Sequence, residues 1–407
     1  MNPRSWLALG LAVALSACGG GKQAPPPSIP AEQAKVDAIF AEYARPGSPG
    51  VAVGIYRGGK QIYSAGYGYA DLASNVAITP HTPFQIASTS KQFAAFSAVL
   101  LERDGKLDLD ADLRDYLPYV PDFGRKITPR HLIYHTSGLR DQWDLFLLGG
   151  RSMSDRLRQS QIVTMVKRQR GLNFAPGAGF EYSNTGYTLL AELVGAVSGQ
   201  TLREFSDTRI FRPLGMRDTF FSDDLSEIIP NRAHSYEQRD GKWHLAPLNY
   251  ETVGATGLYA TVEDLLRWAA NFTRPVVGDA ALIREFSEMG KLDDGSAIPY
   301  GFGLKRMTFS GHEAVYHNGS DAAFRSQFAY FPEQDFAVVL LANNGMNLQP
   351  AFEKVIAAYL PAATTQNSLP ALTTPEPSLV DALQGTYLTP GGSTVLLSKG
   401  AHGLVLQ

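Results

Sequence analysis

The chain has 407 residues, of which 44% are hydrophobic and 18% are charged. This composition favours a globular enzyme with a large core over a scaffold or a tail-rich regulator. The 36 basic and 39 acidic side chains leave a net charge of -3. Because no basic excess is available to attract phosphates, nucleic acid is not an expected partner.

The N-terminal segment predicts export. Arg4 precedes a short apolar run from Leu7 to Ala17, which is too brief to span a bilayer. The run ends at Leu-Ser-Ala-Cys, which resembles the bacterial lipobox, whose cysteine becomes the lipidated first residue of the mature protein. Cys18 is the only cysteine of the chain. We therefore interpret residues 1–18 as a lipoprotein signal peptide, and we expect a lipid anchor in the bacterial cell envelope that faces the periplasm or the exterior.

Next in the chain come a linker and the start of a folded domain. Residues 19–30 are rich in Gly, Pro and Gln, which predicts a flexible tether. A helix should follow, because apolar residues recur at helical spacing from Val36 to Tyr43. Strand-like runs predict five strands, at Val51–Arg57, Gln61–Tyr69, Glu313–His317, Ala323–Phe331 and Phe336–Asn343.

Helical patterns surround these strands. A buried helix should begin at Ser88 and end near Gly105, residues 109–272 are mainly helical in pattern, and a last helix is expected from Pro350 to Leu360. The predicted fold class is α+β, with an antiparallel five-stranded sheet flanked by helices and an inserted, mostly helical subdomain. The main folded domain should span residues 31–361.

The C-terminal part differs in composition. Residues 362–378 are rich in Thr and Pro, which predicts a linker. Residues 379–407 contain three short strand candidates, too few to be stable alone. This extension either packs on the main domain or is the beginning of a second, β-rich domain, and the second interpretation is favoured.

Three short clusters indicate the chemistry: Ser88 to Lys91, Tyr182 to Asn184, and His317 to Gly319. A serine three residues before a lysine, at the start of an apolar helix, places hydroxyl and amine on one helical face. Each cluster alone also has a structural explanation, since Ser88 could cap a helix, Tyr182 could pack on a loop and His317 could be a structural histidine. Together and in this order they favour a catalytic site.

The same clusters carry a family resemblance. With HTSGL at 135–139, PLGM at 213–216 and YGFGL at 300–304, the chain from about residue 31 to 360 resembles the serine β-lactamase and penicillin-binding-protein superfamily. The resemblance is to its class C-like branch, which includes esterases, D-amino peptidases and D-alanyl-D-alanine carboxypeptidases.

This resemblance implies roles for seven residues. Ser88 would be the nucleophile, and Lys91 and Tyr182 would jointly take its proton, without an assignment of the proton to one of them. A lysine, whose ordinary pKa is ~10.4, can act as a base only when burial disfavours its charge, and a nearby ammonium would lower the pKa of the phenol. The substrate-binding residues would be Asn184, which would also hold Lys91, together with His317, Gly319 and Ser320. The backbone N–H groups of Ser88 and Ser320 would bind the oxyanion, and Gly319 would leave room for the substrate backbone.

One position departs from the β-lactam-hydrolysing relatives. His317 stands where their KTG motif carries lysine. A histidine with an ordinary pKa of about 6.5 is largely neutral at pH 7, so a strong dependence on an anionic substrate group is not expected. The substitution favours ester or peptide hydrolysis over β-lactam turnover.

The sequence therefore predicts a membrane-tethered serine hydrolase that forms an acyl-enzyme on small ester, amide or peptide substrates. The alternatives are a β-lactamase, a D-alanyl-D-alanine carboxypeptidase, or a non-hydrolytic penicillin-binding sensor lipoprotein. No cofactor and no metal is expected, because His312 and His317 lie five residues apart in a predicted strand and so face opposite sides.

Overall fold

The computed structural model of the protein describes residues 30–363, 381–388, 394–400 and 403–406. Cys18, the signal peptide and nearly all of the tether and of the 362–378 linker lie outside these residues. Within the described part, every helix is too short or too polar to cross a bilayer.

A six-stranded antiparallel sheet forms the centre of the molecule. Its strands run in the order β3-β4-β5-β6-β1-β2. They are β1 (Val51–Arg57), β2 (Lys60–Tyr67), β3 (Lys305–Phe309), β4 (His312–Asp321), β5 (Phe324–Phe331) and β6 (Phe336–Ala342). Because β1 pairs with β6 over its full length, the two ends of the domain meet in the sheet, and the long segment between β2 and β3 is an insertion.

The predicted sheet of five strands lacked β3. This strand has the sequence Lys-Arg-Met-Thr-Phe, and its three central residues are exposed. It lies at the edge of the sheet and pairs only with β4. Since an edge strand exposed to water needs no alternation of apolar residues, its sequence carries little strand signal.

Helices cover both faces of the sheet. On one face, Val36 and Phe40 of the first helix and Phe352 of the last helix share a core with Val53 and Val338. On the other face, the helix that follows Ser88 is buried with Trp268 and the sheet residues Ala52 and Phe328. Within residues 30–363 the α-helices are α1 (Ala31–Phe40), α2 (Lys91–Arg103), α3 (Pro129–Ile133), α4 (Gln142–Leu148), α5 (Gln159–Lys167), α6 (Asn184–Ser198), α7 (Leu202–Ser206), α8 (Arg212–Leu214), α9 (Val262–Asn271), α10 (Ala280–Phe286) and α11 (Gln349–Tyr359).

The insertion is helical as predicted, but it also contains short strands that the sequence patterns did not reveal. They pair as a three-stranded sheet and as four two-stranded ribbons. The three-stranded sheet consists of Phe84–Gln85, Leu258–Ala260 and Phe220–Phe221. The ribbons are Tyr69–Asp71 with Val76–Ala77, Leu157–Arg158 with Tyr250–Glu251, Tyr236–Arg239 with Lys242–Leu245, and Met289–Lys291 with Ala297–Gly301. Strands of two to five residues are too short to show a period of two.

The C-terminal extension contains the three strands that its sequence predicts. Gly385–Leu388, Thr394–Gly400 and Gly403–Leu406 form an antiparallel sheet.

Candidate active site

Ser88 lies in a tight turn that leads into α2. Residues Ala87–Ser90 form a 3₁₀ helix, so α2 itself begins three residues later than predicted, at Lys91. Ala87 has φ of 51°, in the left-handed region that is strained for a residue with a Cβ. The Gln85 side chain holds this conformation by accepting a hydrogen bond from the Ala87 N–H at 2.7 Å. The turn leaves Ser88 half-buried at the N-terminal end of the buried helix α2.

Lys91 is fully buried and contacts three oxygen atoms. Its Nζ lies 3.1 Å from Ser88 Oγ, 2.9 Å from Asn184 Oδ1 and 2.7 Å from the Ala255 carbonyl oxygen. Burial lowers the pKa of Lys91 to about 7, although the charges of Asp141 and Asp321 act in the opposite direction. Lys91 is therefore available as an uncharged amine near neutral pH.

The three contacts determine where the lone pair of the neutral amine points. The Ala255 carbonyl and the Asn184 Oδ1 can only accept hydrogen bonds, so they take the two amine hydrogens. The third direction around Nζ, which holds the lone pair, faces Ser88, whose hydroxyl can both donate and accept a hydrogen bond. The arrangement thus directs the basic lone pair of Lys91 at the Ser88 proton.

Asp141 fixes the orientation of Asn184, and sequence reasoning missed it. Its Oδ2 accepts a hydrogen bond from Asn184 Nδ2 at 3.1 Å and another from the Asn184 N–H. Its Oδ1 caps α4 by accepting from the Trp143 N–H at 2.9 Å. With Nδ2 bound to Asp141, the Asn184 Oδ1 is the atom left to face Lys91.

Tyr182 lies beside the lysine, but its electrostatics differ from the prediction. Its ring centroid is 4.9 Å from Lys91 Nζ. Burial raises the pKa of Tyr182, although hydrogen bonding with Ser88 acts in the opposite direction. The expectation that a neighbouring ammonium would lower the pKa of this phenol is wrong, because desolvation raises it and Lys91 is not among the groups that shift it. Tyr182 stays protonated at neutral pH.

His317 is buried behind the site and both of its ring nitrogens are used within the protein. Nδ1 lies 2.7 Å from the Asn318 carbonyl oxygen, and Nε2 lies 2.8 Å from the Tyr300 hydroxyl. A carbonyl only accepts, so Nδ1 carries the hydrogen and Nε2 accepts from Tyr300. Burial, with Lys91 and Lys305 nearby, places the pKa of His317 well below its usual value. His317 is neutral, and it orients Tyr300.

Gly319 lies against the turn that carries Ser88. A Cβ at this position would lie 2.4 Å from the Ile86 carbonyl oxygen and 2.8 Å from Ala87 Cβ. The position that a side chain of residue 319 would take is therefore occupied by the protein's own turn, and the approach of substrate backbone to this strand stays a prediction. The close approach brings β4 next to Ser88, and it leaves the following residue, Ser320, exposed. The oxyanion role of the Ser88 and Ser320 N–H groups stays a prediction.

Two aromatic neighbours of the site begin motifs that the sequence analysis quoted without assigning them a role. His135, the first residue of HTSGL, has its ring 4.3 Å from that of Tyr182 and 4.4 Å from that of Tyr300. Its Nδ1 accepts from the Ser183 N–H at 3.0 Å, and burial places its pKa well below the usual value. Tyr300 begins YGFGL. The motifs were thus the signal that could have identified both residues.

The chain is similar in sequence and fold to known proteins. The protein-family model described as Beta-lactamase matches residues 36–360. Over 339 residues the chain is 31% identical to a D-aminopeptidase of Brucella canis, and the match covers 82% of this chain and 63% of that protein. The chain therefore spans less than two thirds of the length of this curated relative.

Two solved structures resemble the fold. The octameric penicillin-binding protein homologue from Pyrococcus abyssi superimposes with a TM-score of 0.70 at 23% identity, over 92% of this chain and 86% of that chain. The D-amino acid amidase from Ochrobactrum anthropi SV3 gives a TM-score of 0.68 at 24% identity, over 80% of this chain and 98% of that chain. At these identities the two similarities establish the fold alone.

Proposed function

The chain belongs to the beta-lactamase family, and from that premise we propose that it is a serine hydrolase that cleaves amide or ester bonds through an acyl-enzyme on Ser88. The observation that carries this proposal is the contact between a buried Lys91, whose pKa is about 7, and Ser88 Oγ at 3.1 Å. A serine hydroxyl is a weak nucleophile unless an adjacent base takes its proton.

In the proposed first step, the Ser88 oxygen attacks the substrate carbonyl carbon while its proton passes to Lys91 Nζ. The carbonyl oxygen becomes an oxyanion, for which the N–H groups of Ser88 and Ser320 are the proposed donors. When the intermediate collapses, the carbon–nitrogen or carbon–oxygen bond breaks, and the leaving group receives a proton from Tyr182, which regains one from Lys91. Burial suits Tyr182 to this task because it keeps the phenol protonated.

The second step returns the enzyme to its first state. Water attacks the acyl group on Ser88, and Lys91, neutral again, takes a proton from that water. The acid product leaves with the new oxygen, and the proton on Lys91 returns to Ser88 Oγ. Water is the only co-reactant that the two steps require.

Substrates with D-amino-acid residues are the proposed class, supported by the printed name of the Brucella relative, D-aminopeptidase. We further propose that Cys18 anchors the enzyme to the bacterial envelope by a lipid. This second proposal rests on the sequence of the signal segment alone.

The proposal is tested by turnover of a panel of short acyl esters, D-amino-acid amides, D-alanyl-D-alanine peptides and a chromogenic cephalosporin. Esters or amides should be hydrolysed, and Ser88→Ala should reduce kcat/KM by about a thousandfold or more. A cephalosporin rate well above all others would instead support a β-lactamase. Covalent labelling by β-lactams without turnover of any substrate would support a sensor.

A further inference from the structure

Asp321 is the last residue of β4, and one of its carboxylate oxygens joins two segments that meet at the active site. Its Oδ2 lies 3.0 Å from Gln85 Nε2 and 2.6 Å from the Thr256 hydroxyl oxygen. Gln85 Nε2 also lies 2.6 Å from the Thr256 hydroxyl oxygen, and the two residues are 171 positions apart in the chain. Asp321 thus closes a three-residue cluster that exists only in the folded protein, and sequence reasoning assigned it no role.

Gln85 connects Asp321 to the turn that carries Ser88. A backbone N–H can only donate, so the Gln85 atom 2.7 Å from the Ala87 nitrogen is the carbonyl oxygen Oε1. The two hydrogens of Nε2 are then directed at Thr256 and Asp321. Asp321 therefore fixes the orientation of the Gln85 amide, and with it the acceptor that holds Ala87 at its φ of 51°. Ser88 is the next residue.

Thr256 connects the same carboxylate to the acceptor of Lys91. Its hydroxyl oxygen receives a hydrogen from Gln85, so its own hydrogen is donated to Asp321. The residue before it, Ala255, supplies the carbonyl oxygen that accepts from Lys91 at 2.7 Å. The hydrogen bond between Thr256 and Asp321 therefore holds the segment that directs the amine of Lys91.

The charge of Asp321 does not explain why a carboxylate lies here. That charge raises the pKa of Lys91, whereas the proposed reaction requires a neutral lysine. Asp321 is also half-buried, and burial raises its own pKa to about 7. A carboxylate that is unfavourable to ionise, and that disfavours the active form of the base, is explained instead by the two hydrogen bonds that it accepts.

We propose that Asp321 is a positioning residue: it holds the Ser88 turn in register with the carbonyl that binds Lys91. The inference rests on the proposed function and adds to it a residue that acts through its neighbours. Without the carboxylate the two donors can turn away, and the turn and the carbonyl can move independently. A displacement of about 1 Å at the reacting atoms can reduce the rate by about a hundredfold.

The test measures kcat on a short acyl ester at pH 9. This pH lies above the pKa values of Lys91 and Asp321, which are both about 7. The base is then neutral with or without the charge at position 321, so a change in kcat reports geometry. The variants are Asp321→Ala, which removes the acceptor, and Asp321→Asn, which keeps one oxygen that can accept from both donors.

Asp264→Ala is the matched control. Asp264 lies on α9, and its Oδ2 likewise accepts from a threonine hydroxyl, that of Thr219 at 2.9 Å. Its removal should lower the free energy of unfolding and leave kcat unchanged. Denaturant unfolding is measured for every variant beside kcat.

We expect Asp321→Ala to reduce kcat by about tenfold to a hundredfold, and Asp321→Asn to recover most of that loss. Equal losses in the two variants would overturn the proposal, because the charge and not the acceptor would then matter. An unchanged kcat in Asp321→Ala would overturn it too, and so would an equal fall in kcat in Asp264→Ala, which would make the effect one of stability.

A double-mutant cycle tests the connection itself. If Asp321 acts through Gln85, the variant that combines Gln85→Ala and Asp321→Ala should be about as slow as the slower single variant. Losses that multiply would mean that the two residues act independently, which would overturn the proposal. If Asp321→Ala does not fold, Thr256→Val takes its place in the cycle, since valine has nearly the shape of threonine but no hydroxyl.

Failure of the proposed function gives a different result. The wild-type protein would then hydrolyse no ester at pH 9 and would match Ser88→Ala, which would overturn the inference as well.

Discussion

The proposed chemistry depends on Lys91, because only its uncharged form can take the proton of Ser88. Several neighbours determine whether Lys91 is charged. Burial disfavours its ammonium form, Asp141 and Asp321 favour that form, and Lys305 disfavours it. The result is a pKa of about 7 for Lys91, where a general base is most effective at neutral pH.

The first prediction concerns the pH dependence of kcat/KM. The base must be neutral, so activity should rise with pH through about 7, the pKa of Lys91, and fall by about tenfold per pH unit below it. Initial rates on a neutral ester between pH 5 and 9 measure this profile. A rise centred near the ordinary lysine pKa would contradict the assignment of Lys91 as the base.

A second prediction uses Asp141→Asn. An asparagine side chain can still accept from Asn184, but it lacks the negative charge that raises the pKa of Lys91. Removing that charge favours the neutral amine, so the acid limb of the profile should move to lower pH. At pH 6 the fraction of plateau activity should increase by about threefold. A shift of the acid limb to higher pH would contradict the claim that the charge of Asp141 raises the pKa of Lys91.

At the scale of single residues, sequence reasoning succeeded for contacts between residues that are close in sequence. Ser88 and Lys91 meet because residues three apart on a helix are neighbours. Asp141 and Lys305 could not be found in this way, because the groups that they influence are distant in sequence and meet only through the fold. The pKa of Tyr182 was predicted in the wrong direction for the same reason, since the depth of its burial depends on His135, Tyr300 and the rest of the packed insertion.

At the scale of elements, the site depends on how closely β4 approaches the turn that carries Ser88. Gly319 permits this approach, because any side chain there would meet the backbone of Ile86. The contact links β4 of the main sheet to the turn at the start of α2. The elements themselves were largely predicted, and β3 was missed because its exposed central residues give no apolar alternation.

The third prediction is that Gly319→Ala impairs both activity and stability. Its Cβ would lie 2.4 Å from the Ile86 carbonyl oxygen, so strand and turn must separate. We expect a loss of about 1–3 kcal/mol in the free energy of unfolding, together with a fall in kcat/KM at temperatures where the variant is folded. Denaturant unfolding and initial rates provide the two measurements.

Gly171→Ala is the control for this variant, since a Cβ there meets no other atom within 4 Å. It should leave both quantities nearly unchanged. If Gly319→Ala behaved like this control, the close approach of β4 would not matter to the site.

At the scale of the whole molecule, the fold brings together residues from distant parts of the chain. Lys91 bonds to Asn184, 93 residues later, and to the Ala255 carbonyl, 164 residues later. The pairing of β1 with β6 joins, in one sheet, the parts of the chain that precede and follow the insertion between β2 and β3. The order of the motifs along the chain predicted that these residues lie together, but the distances between them could be obtained only from the structure.

The fourth prediction concerns the proposed lipid anchor. Cys18→Ser removes the thiol that a lipid would modify, so the protein expressed in a bacterium should lose its label from a radioactive or clickable fatty acid. Membrane fractionation and in-gel detection of the label provide the measurement. Because residue 18 precedes the folded domain, the purified variant should keep its kcat/KM. A label that persists in Cys18→Ser would exclude this residue as the attachment site.

The most direct test of the account is to trap the acyl-enzyme and locate it. The protein is incubated with a slowly hydrolysed active-site serine reagent, and the adduct is mapped by peptide mass spectrometry in the wild type, Ser88→Ala and Lys91→Met. We predict one adduct, on Ser88, in the wild type, none in Ser88→Ala, and formation slowed by about a hundredfold or more in Lys91→Met. An adduct on any other residue, or equal rates of modification with and without Lys91, would contradict the claim that a buried neutral lysine activates this serine.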